Sequence, residues 1–488
     1  MKSLPLSVLA QVLGSGPAEG FDISITGVST DTRAIRKGDC FFALAGENFD
    51  GHNYVREAFA KGAACAVVER PVEGAMASDQ PVLKVPDTIK ALGDLARAYR
   101  QTSGFKVVAI TGSVGKTTTR QIVHHVLSQR FRVHQASKSF NNNIGLPLTL
   151  LGAEPQTEVV VAELGANHPG EIAYLTRIAL PDIALVTNAH PAHLEGFGDL
   201  ATIIREKLSI ADGLSDAGDL VINGDIEPLV ATCQGKGRPF RTFGKSAGVD
   251  YRAERIVCEA LHSSFIVDGV RIRLPLPGPG NVENALAAWA VCAQLGLTLD
   301  AFAKAVESLS GVSMRAEALQ IGGLTVLNDC YNANPASMKN ALAMLHNLRA
   351  GSDANCGRRL VFICGQMAEL GQQTEALHAE LGRAVAEAGV DLLVTVGTPP
   401  QTTARVARET ARHDLQTRSY ADTVSVCNDM QEFLKRDDIV LVKGSRTARL
   451  ERVVEALREV YSSCVAHGAS CDARHAPGNA YDAAQGTA

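Results

Sequence analysis

The sequence predicts an α/β protein of three domains, with a parallel sheet at its centre and a second parallel sheet toward the C-terminus. Three observations carry this. Residues 106–110, KVVAI, form a short β-branched run that feeds into Thr111-Gly112-Ser113-Val114-Gly115-Lys116-Thr117-Thr118, then a helical pattern with Ile122, Val123, Val126 and Leu127 on one face. Strand patterns at 324–327, 360–364, 392–396 and 439–442 alternate with helical stretches such as 337–348 and 375–388. The 488 residues, 46% of them hydrophobic, suffice for about three cores at roughly 150 residues each. The predicted limits are 1–103, 104–311 and 312–462. A tail at 463–488, rich in Ala, Gly, Ser, His and Asp and without periodicity, reads as disordered.

Charge and composition narrow the function classes. Lys plus Arg is 47 and Asp plus Glu 52, a net charge of −5 that offers no electrostatic reason to expect a nucleic acid. Eleven cysteines lie scattered without a CxxC pair, the pattern of reduced thiols in a cytoplasmic protein. The N-terminus lacks the apolar core of a signal peptide, and no run of about 18 apolar residues is present, so no membrane insertion is expected.

The first domain reads as a small α/β unit. Residues 23–28 alternate like a strand, 40–44 form an apolar run, 46–52 a glycine-bearing polar loop, 54–61 a helix and 64–68 another strand. Thr30, Asp31, Thr32 and Arg33 follow the first strand and are candidates to hold a substrate by hydrogen bonds and charge. By spacing alone they also read as a turn with a solvated arginine.

The second domain opens on the strand, glycine turn, lysine and helix that a phosphate-binding loop requires. Gly112, Ser113, Val114 and Gly115 let backbone N–H groups curl around an anion at a helix N-terminus. Lys116 is placed for the outer phosphates, and Thr117 and Thr118 open the helix, with the Thr117 hydroxyl available to Mg2+. Only two residues separate the glycines, where the common form has four. Asn141 and Asn142 stand in a polar turn; such clusters serve turns, and their amides also suit a phosphate or sugar. Strand 159–162 runs into Glu163, and strand 183–186 into Thr187-Asn188 with His193 shortly after. In an open parallel sheet these groups share one edge with Thr117, where a hydroxyl, a carboxylate and an imidazole suit Mg2+ beside a nucleotide. His190 competes with His193 for that place. Lys207, in the helical stretch 203–208, reads from local chemistry as an exposed lysine beside Glu206. Residues 274–280, LPLPGPG, read as a loop, with a helix from about Val282 and Asn281 and Asn284 at its first turn, where asparagine caps. In the third domain polar residues again follow strands: Asp329 with Tyr331, Asn332 and Asn334, then Lys443-Gly444-Ser445-Arg446.

Taken in order, DTR at Asp31, GDCFFAL, GENFDGH, TGSVGKTTT, NNNIGLPLTLL, ELGANHPGEI from Glu163, HLEGFG from His193, DCYNANPASM from Asp329, MAELG from Met367 and KGSR from Lys443 resemble the Mur ligase family over residues 20–460. Each motif is modest alone; their order and spacing are specific. The resemblance implies three domains: a UDP-sugar-binding domain, a central P-loop ATPase and a Rossmann-like C-terminal domain. It implies ATP and Mg2+ as cofactors. Lys116, Lys207 and His193 match catalytic positions, Thr117, Glu163, His193 and Lys207 the metal positions, with Lys207 carried as a carbamate. Residues 112–118, Asn281, Asn284, Arg315 and Asp329 match the nucleotide site. Thr30–Arg33, Asn141, Asn142, Asn332 and Asn334 match substrate positions.

Within the family, the stretch around Asn332 and Asn334 and the lack of a DNPR-type motif resemble the member that adds D-alanyl-D-alanine to UDP-N-acetylmuramoyl-tripeptide, for cell-wall precursor synthesis; a monomer is the separate expectation. Departures stand at Pro279 and Gly280, where Arg-His is usual, at Gln366, where Asp is usual, and at Ser209, where Glu is usual. A folate-type polyglutamylating ligase and a nucleotide-binding switch remain as alternatives.

Overall fold

The computed structural model describes residues 1–16, 21–46, 49–72, 80–136, 139–259, 261–350 and 357–466. Glu47 and Asn48 of the predicted loop, and 467–488 of the predicted tail, lie outside them. The chain falls into two compact units, Met1–Ser310 and Gly311 onward.

In the first unit, after a helix at Leu6–Leu13 and a short antiparallel pair of Leu4–Pro5 with Ser24–Ile25, comes a four-stranded parallel sheet of β1 (Gly27–Ser29), β2 (Asp39–Phe42), β3 (Cys65–Val68) and β4 (Val82–Lys84), in that order. Helix α1 (Thr88–Thr102) follows, with the Asp87 carboxylate accepting from the Lys90 N–H at its start. Its buried face, Ala91, Leu92, Leu95, Ala96 and Tyr99, packs on α3 (Gly145–Leu151) and α4 (Glu171–Ala179) of the following region. That packing makes residues 1–310 one unit, although the sequence places a boundary at 103.

The seven-stranded sheet runs β6 (Val133–Gln135), β7 (Val159–Glu163), β5 (Lys106–Thr111), β8 (Ile183–Val186), β9 (Asp219–Asn223), β10 (Arg241–Gly244) and β11 (Tyr251–Arg252), all parallel. β5 is central and buried from Val107 to Thr111, as a β-branched run covered on both faces must be. Its chain returns through α2 (Lys116–Leu127) to β6 on one side, while β8 lies on the other. The strand order therefore switches at β5, and the crevice outside its carboxyl end is the expected ligand position. Helix α5 (Leu200–Leu208) precedes β9. An antiparallel sheet of β12 (Glu254–Cys258), β13 (Ser263–Val267) and β14 (Val270–Leu274) leads into α6 (Pro279–Gln294). Helices α2 and α6 share one core with Val108, Ile110, Val161 and Leu185 of the large sheet.

Helix α6 corrects one expectation. It begins at Pro279 rather than near Val282, so Pro279 and Gly280 are helical and Gly278 is the N-cap. Proline is well suited to a first turn, where its missing N–H has no intrahelical partner to lose. Asn281 is therefore the third helical residue and Asn284 the sixth, beyond the first turn, and neither is the cap.

The second unit is a six-stranded sheet in the order β15 (Glu317–Ile321), β16 (Leu324–Asn328), β20 (Ile439–Lys443), β17 (Leu360–Cys364), β18 (Leu392–Val396), β19 (Gln416–Tyr420). Only β15 is antiparallel. Helices α7 (Pro335–Ala350), α8 (Thr374–Glu387), α9 (Pro400–Thr410) and α10 (Glu451–Ala466) connect and flank it. The edge strands β15 and β19 were not among the strands expected from sequence: Gln416–Tyr420 is mostly polar, and Glu317–Ile321 is a short run in which Glu317 and Gln320 break up the apolar residues. The predicted tail is corrected at its start: α10 continues through residue 466. Among the described residues no helix is long and apolar enough to cross a membrane.

Candidate active site

Gly112 and Gly115 shape the loop between β5 and α2. Gly112 has φ 150, and a Cβ there would meet Thr187 Oγ1 at 2.0 Å; Gly115 has φ 84, and a Cβ would meet Asn284 Oδ1 at 2.0 Å. Both positions admit glycine alone, for conformational freedom and for space. The loop is held from β8 and the residues after it. Val114 N–H donates to Asn188 Oδ1 at 2.9 Å, Thr187 Oγ1 donates to Val114 O at 2.8 Å, and Ser113 Oγ donates to His190 O at 2.8 Å. The Lys116 ammonium folds back onto Gly112 O at 2.7 Å, so it stands over the loop's mouth.

Thr117 and Glu163, from α2 and the end of β7, meet as the sheet order requires. Thr117 Oγ1 donates to Glu163 Oε2 at 2.8 Å, and Asn141 Nδ2 donates to Glu163 Oε1 at 3.0 Å. Thr117 and Glu163 are both buried. Asn142 acts otherwise: its Oδ1 accepts from Ile144 and Gly145 N–H and serves the turn into α3. His193 sits in the left-handed region, φ 51, at the start of the short helix Leu194–Phe197, an unusual conformation for a non-glycine residue. His190, its competitor, lies against the loop through its backbone, and burial lowers its pKa.

Lys207 overturns the local reading of an exposed side chain: it is 2% exposed. No carboxylate pairs with it among the described residues, and its ammonium lies 5.5 Å from the Phe197 ring centre. Burial first, and the nearby Lys116 charge second, bring its pKa down to about 7. With that pKa about half of the side chain is the free amine near pH 7, which is nucleophilic toward CO2 as an ammonium is not. Asn284 joins the loop to α6, accepting from Thr119 Oγ1 at 3.3 Å and donating to Asn281 Oδ1 at 3.2 Å, while Asn281 Nδ2 donates to Pro277 O at 2.7 Å.

At the first sheet, the Asp31 carboxylate accepts from Arg33 N–H and pairs with its guanidinium at 2.8 Å. Those bonds lower its pKa to about 2. The Arg33 side chain is exposed, as the turn reading expects, and Thr32 Oγ1 donates to Glu57 Oε1 at 3.0 Å. Thr30 lies half-buried beside them.

In the second unit, Lys443 Nζ pairs with Asp329 Oδ2 at 2.6 Å and donates to Asn332 O at 3.0 Å; Lys443 is 2% exposed. The Arg315 guanidinium lies over the Tyr331 ring at 4.2 Å. Asn334 Oδ1 accepts from Ser337 N–H, which makes it a cap for α7. Gln366 donates to Thr447 Oγ1 at 3.0 Å. Tyr331 and Lys443, given no role from sequence, are the residues this cluster adds; their only signal was position, just after β16 and at the end of β20.

Three family models match in order: Mur ligase family, catalytic domain, over residues 24–100; Mur ligase middle domain over 110–292; and Mur ligase, glutamate ligase domain, over 314–446. A UDP-N-acetylmuramoyl-tripeptide–D-alanyl-D-alanine ligase of Escherichia coli is 36% identical over 468 residues, 94% of this chain and 99% of that protein. The crystal structure of MurF from Acinetobacter baumannii aligns with a TM-score of 0.83 at 30% identity, covering 94% of this chain and 99% of that one. MurF from Thermotoga maritima in complex with ADP aligns at 0.77 and 27% identity, covering 90% and 98%. Likeness of this extent, across all three matched regions, means that the chain belongs to the Mur ligase family.

Proposed function

We propose that this chain joins D-alanyl-D-alanine to UDP-N-acetylmuramoyl-tripeptide at the expense of ATP, giving the UDP-linked pentapeptide, ADP and phosphate. The observation that carries the reading is the phosphate loop set beside the buried Thr117–Glu163 pair and the buried Lys207, in a chain similar along its length to ligases of that name. ATP would lie on residues 112–118, with Asn281 and Asn284 on the adenine side; within the second unit, Arg315 and Asp329 are the family-implied nucleotide candidates.

The donor set fits a hard divalent cation. Two oxygens 2.8 Å apart at the loop suit Mg2+, which prefers oxygen ligands and keeps several waters. Thr117, Glu163, His193 and Lys207 as a carbamate would hold it; when bound, Mg2+ would offset phosphate charge. The chain's own groups do the rest. Lys116 screens the like charges that meet when the tripeptide carboxylate attacks the γ-phosphate, and the backbone donors of the loop stabilise the in-line transition state. The attack gives an acyl phosphate and ADP. The dipeptide's free amine then attacks the acyl carbon, and the tetrahedral intermediate collapses with release of phosphate. Thr30–Arg33, Asn141, Asn142, Asn332 and Asn334 are the proposed substrate contacts, although Asn142 and Asn334 would have to combine that role with their turn and capping bonds. A monomeric state and a cytoplasmic setting belong to the same proposal.

The test is phosphate release with ATP and Mg2+, each substrate omitted in turn, with mass spectrometry of the product. The expected result is turnover that needs both substrates and yields the pentapeptide. Phosphate release indifferent to both would overturn the reading and direct attention to folate-type substrates.

A further inference from the structure

Glu206 is a buried carboxylate that the proposed reaction does not use. It precedes Lys207 on α5 and is 5% exposed. Both of its oxygens are taken by backbone donors of a different element. Gly170 N–H donates to Oε2 at 2.7 Å, and Ile172 N–H donates to Oε1 at 2.7 Å. Gly170 is the N-cap of α4 and Ile172 its second residue. These N–H groups have no partner within the helix, and a carboxylate at a helix N-terminus is further favoured by the dipole. The carboxylate is thus directed to α4 rather than to its neighbour, and no Glu206–Lys207 ion pair is present among the described residues.

The segment it grips begins at the metal candidate. From Glu163 at the end of β7 the chain passes through Leu164, whose N–H donates to Ile110 O at 2.8 Å, and Gly165, whose N–H donates to Asn141 O at 2.8 Å. It reaches Gly170, the N-cap of α4, five residues later. Glu171 takes the Asn167 and His168 N–H groups at 2.7 and 3.2 Å, within the same segment. Glu206 alone among these bonds reaches across to α5. Just past the end of α5, Ser209, one of the departures from the family pattern, donates its hydroxyl to Glu206 O at 2.7 Å.

We propose that Glu206 is a positioning residue: by accepting the Gly170 and Ile172 N–H groups it ties the segment that follows Glu163 to the helix that carries Lys207, and so fixes the spacing of the two groups that flank the metal. The inference rests on the metal roles proposed for Glu163 and Lys207.

Glu206→Gln keeps the shape but puts an NH2 group where one oxygen accepts, so one N–H loses its acceptor and faces a donor. Glu171→Gln disturbs the same helix end without touching α5 and serves as the comparison. Melting temperature, amide hydrogen exchange over residues 164–175 and the Mg2+ concentration for half-maximal phosphate release are measured on the full chain. Glu206→Gln should speed exchange in that segment and raise the Mg2+ half-point by about tenfold, the scale of one lost charge-assisted hydrogen bond. Glu171→Gln should leave the Mg2+ half-point near the starting value. A lower melting temperature with an unchanged Mg2+ half-point, or equal shifts in both variants, would overturn the proposal. Exchange is read without turnover, so a parent chain that makes no pentapeptide would refute the proposed reaction, while unaltered exchange in Glu206→Gln would refute the clamp.

Discussion

At the scale of single residues, burial decides which side chains can do chemistry. Lys207 is buried and has no carboxylate pair among the described residues, and its pKa falls to about 7 from the usual 10.5. That shift has a thermodynamic sign. Between about pH 7 and the usual lysine value the unfolded chain binds more protons than the folded one, so stability rises with pH across that window, and the penalty is full below it. Lys207→Met removes the buried charge. In CO2-free buffer its melting temperature should exceed that of the parent at about pH 6, with the gain shrinking as pH approaches the lysine range. An equal gain at both ends, followed by calorimetry, would mean that the amine is not desolvated. In the parent chain, bicarbonate should matter to turnover, and a short carboxylic acid should restore activity to Lys207→Ala.

At the scale of elements, the phosphate loop depends on neighbours far away in sequence. Gly115 has φ 84 and its open side faces Asn284 of α6. Gly115→Ala therefore meets both a left-handed backbone, worth roughly 1–2 kcal/mol for a residue with a Cβ, and the Asn284 amide. It should weaken ATP binding strongly by calorimetric titration, whereas Gly104→Ala, which meets nothing within 4 Å, should leave it unchanged. In the second unit, His378 of α8 plays a comparable linking part. Its ring accepts from Met367 N–H at 3.4 Å and bonds Thr403 Oγ1 of α9 at 2.9 Å, fully buried. Burial lowers its pKa to about 4. The folded state holds it neutral, so stability present above pH 6.5 should be lost as pH falls toward about 4. Urea unfolding of His378→Gln at two pH values should show a flatter acid dependence than the parent.

At the scale of the molecule, the chain divides into two units with separate cores. Val326, Val361, Ile363, Val394, Val440 and Val442 form the centre of the second, enclosed by Val426, Phe433, Leu450 and Leu457. With six strands and its own apolar interior, a fragment of residues 311–466 should fold and unfold cooperatively by circular dichroism. Lacking the phosphate loop, it should bind no ATP with the affinity of the full chain. A fragment without a cooperative transition would show that this core depends on the first unit. The first unit is not expected to divide as readily at residue 103, because Tyr99 of α1 donates its hydroxyl to Ala153 O and Arg100 pairs with Asp182.

The sequence alone determined the α/β class, the strand–loop–helix of a kind suited to phosphate, and the polar residues at strand ends. Those features are written in short range, as β-branched runs, glycine spacing and the residue that follows a strand. Asn142 was legible as a turn residue, and the structure uses it in that way; Asn334, read from sequence only as a substrate candidate, caps α7. Lys207 was not legible: beside a glutamate on a helix it has the local chemistry of a solvated residue, and only tertiary packing, with Phe197 near its ammonium, buries it. Glu206 drew no attention for the same reason, since its partners lie 34 and 36 residues away. The tertiary structure decided which titratable groups are buried, and with whom, because desolvation depends on every element packed around a side chain and leaves no trace in the residues next to it.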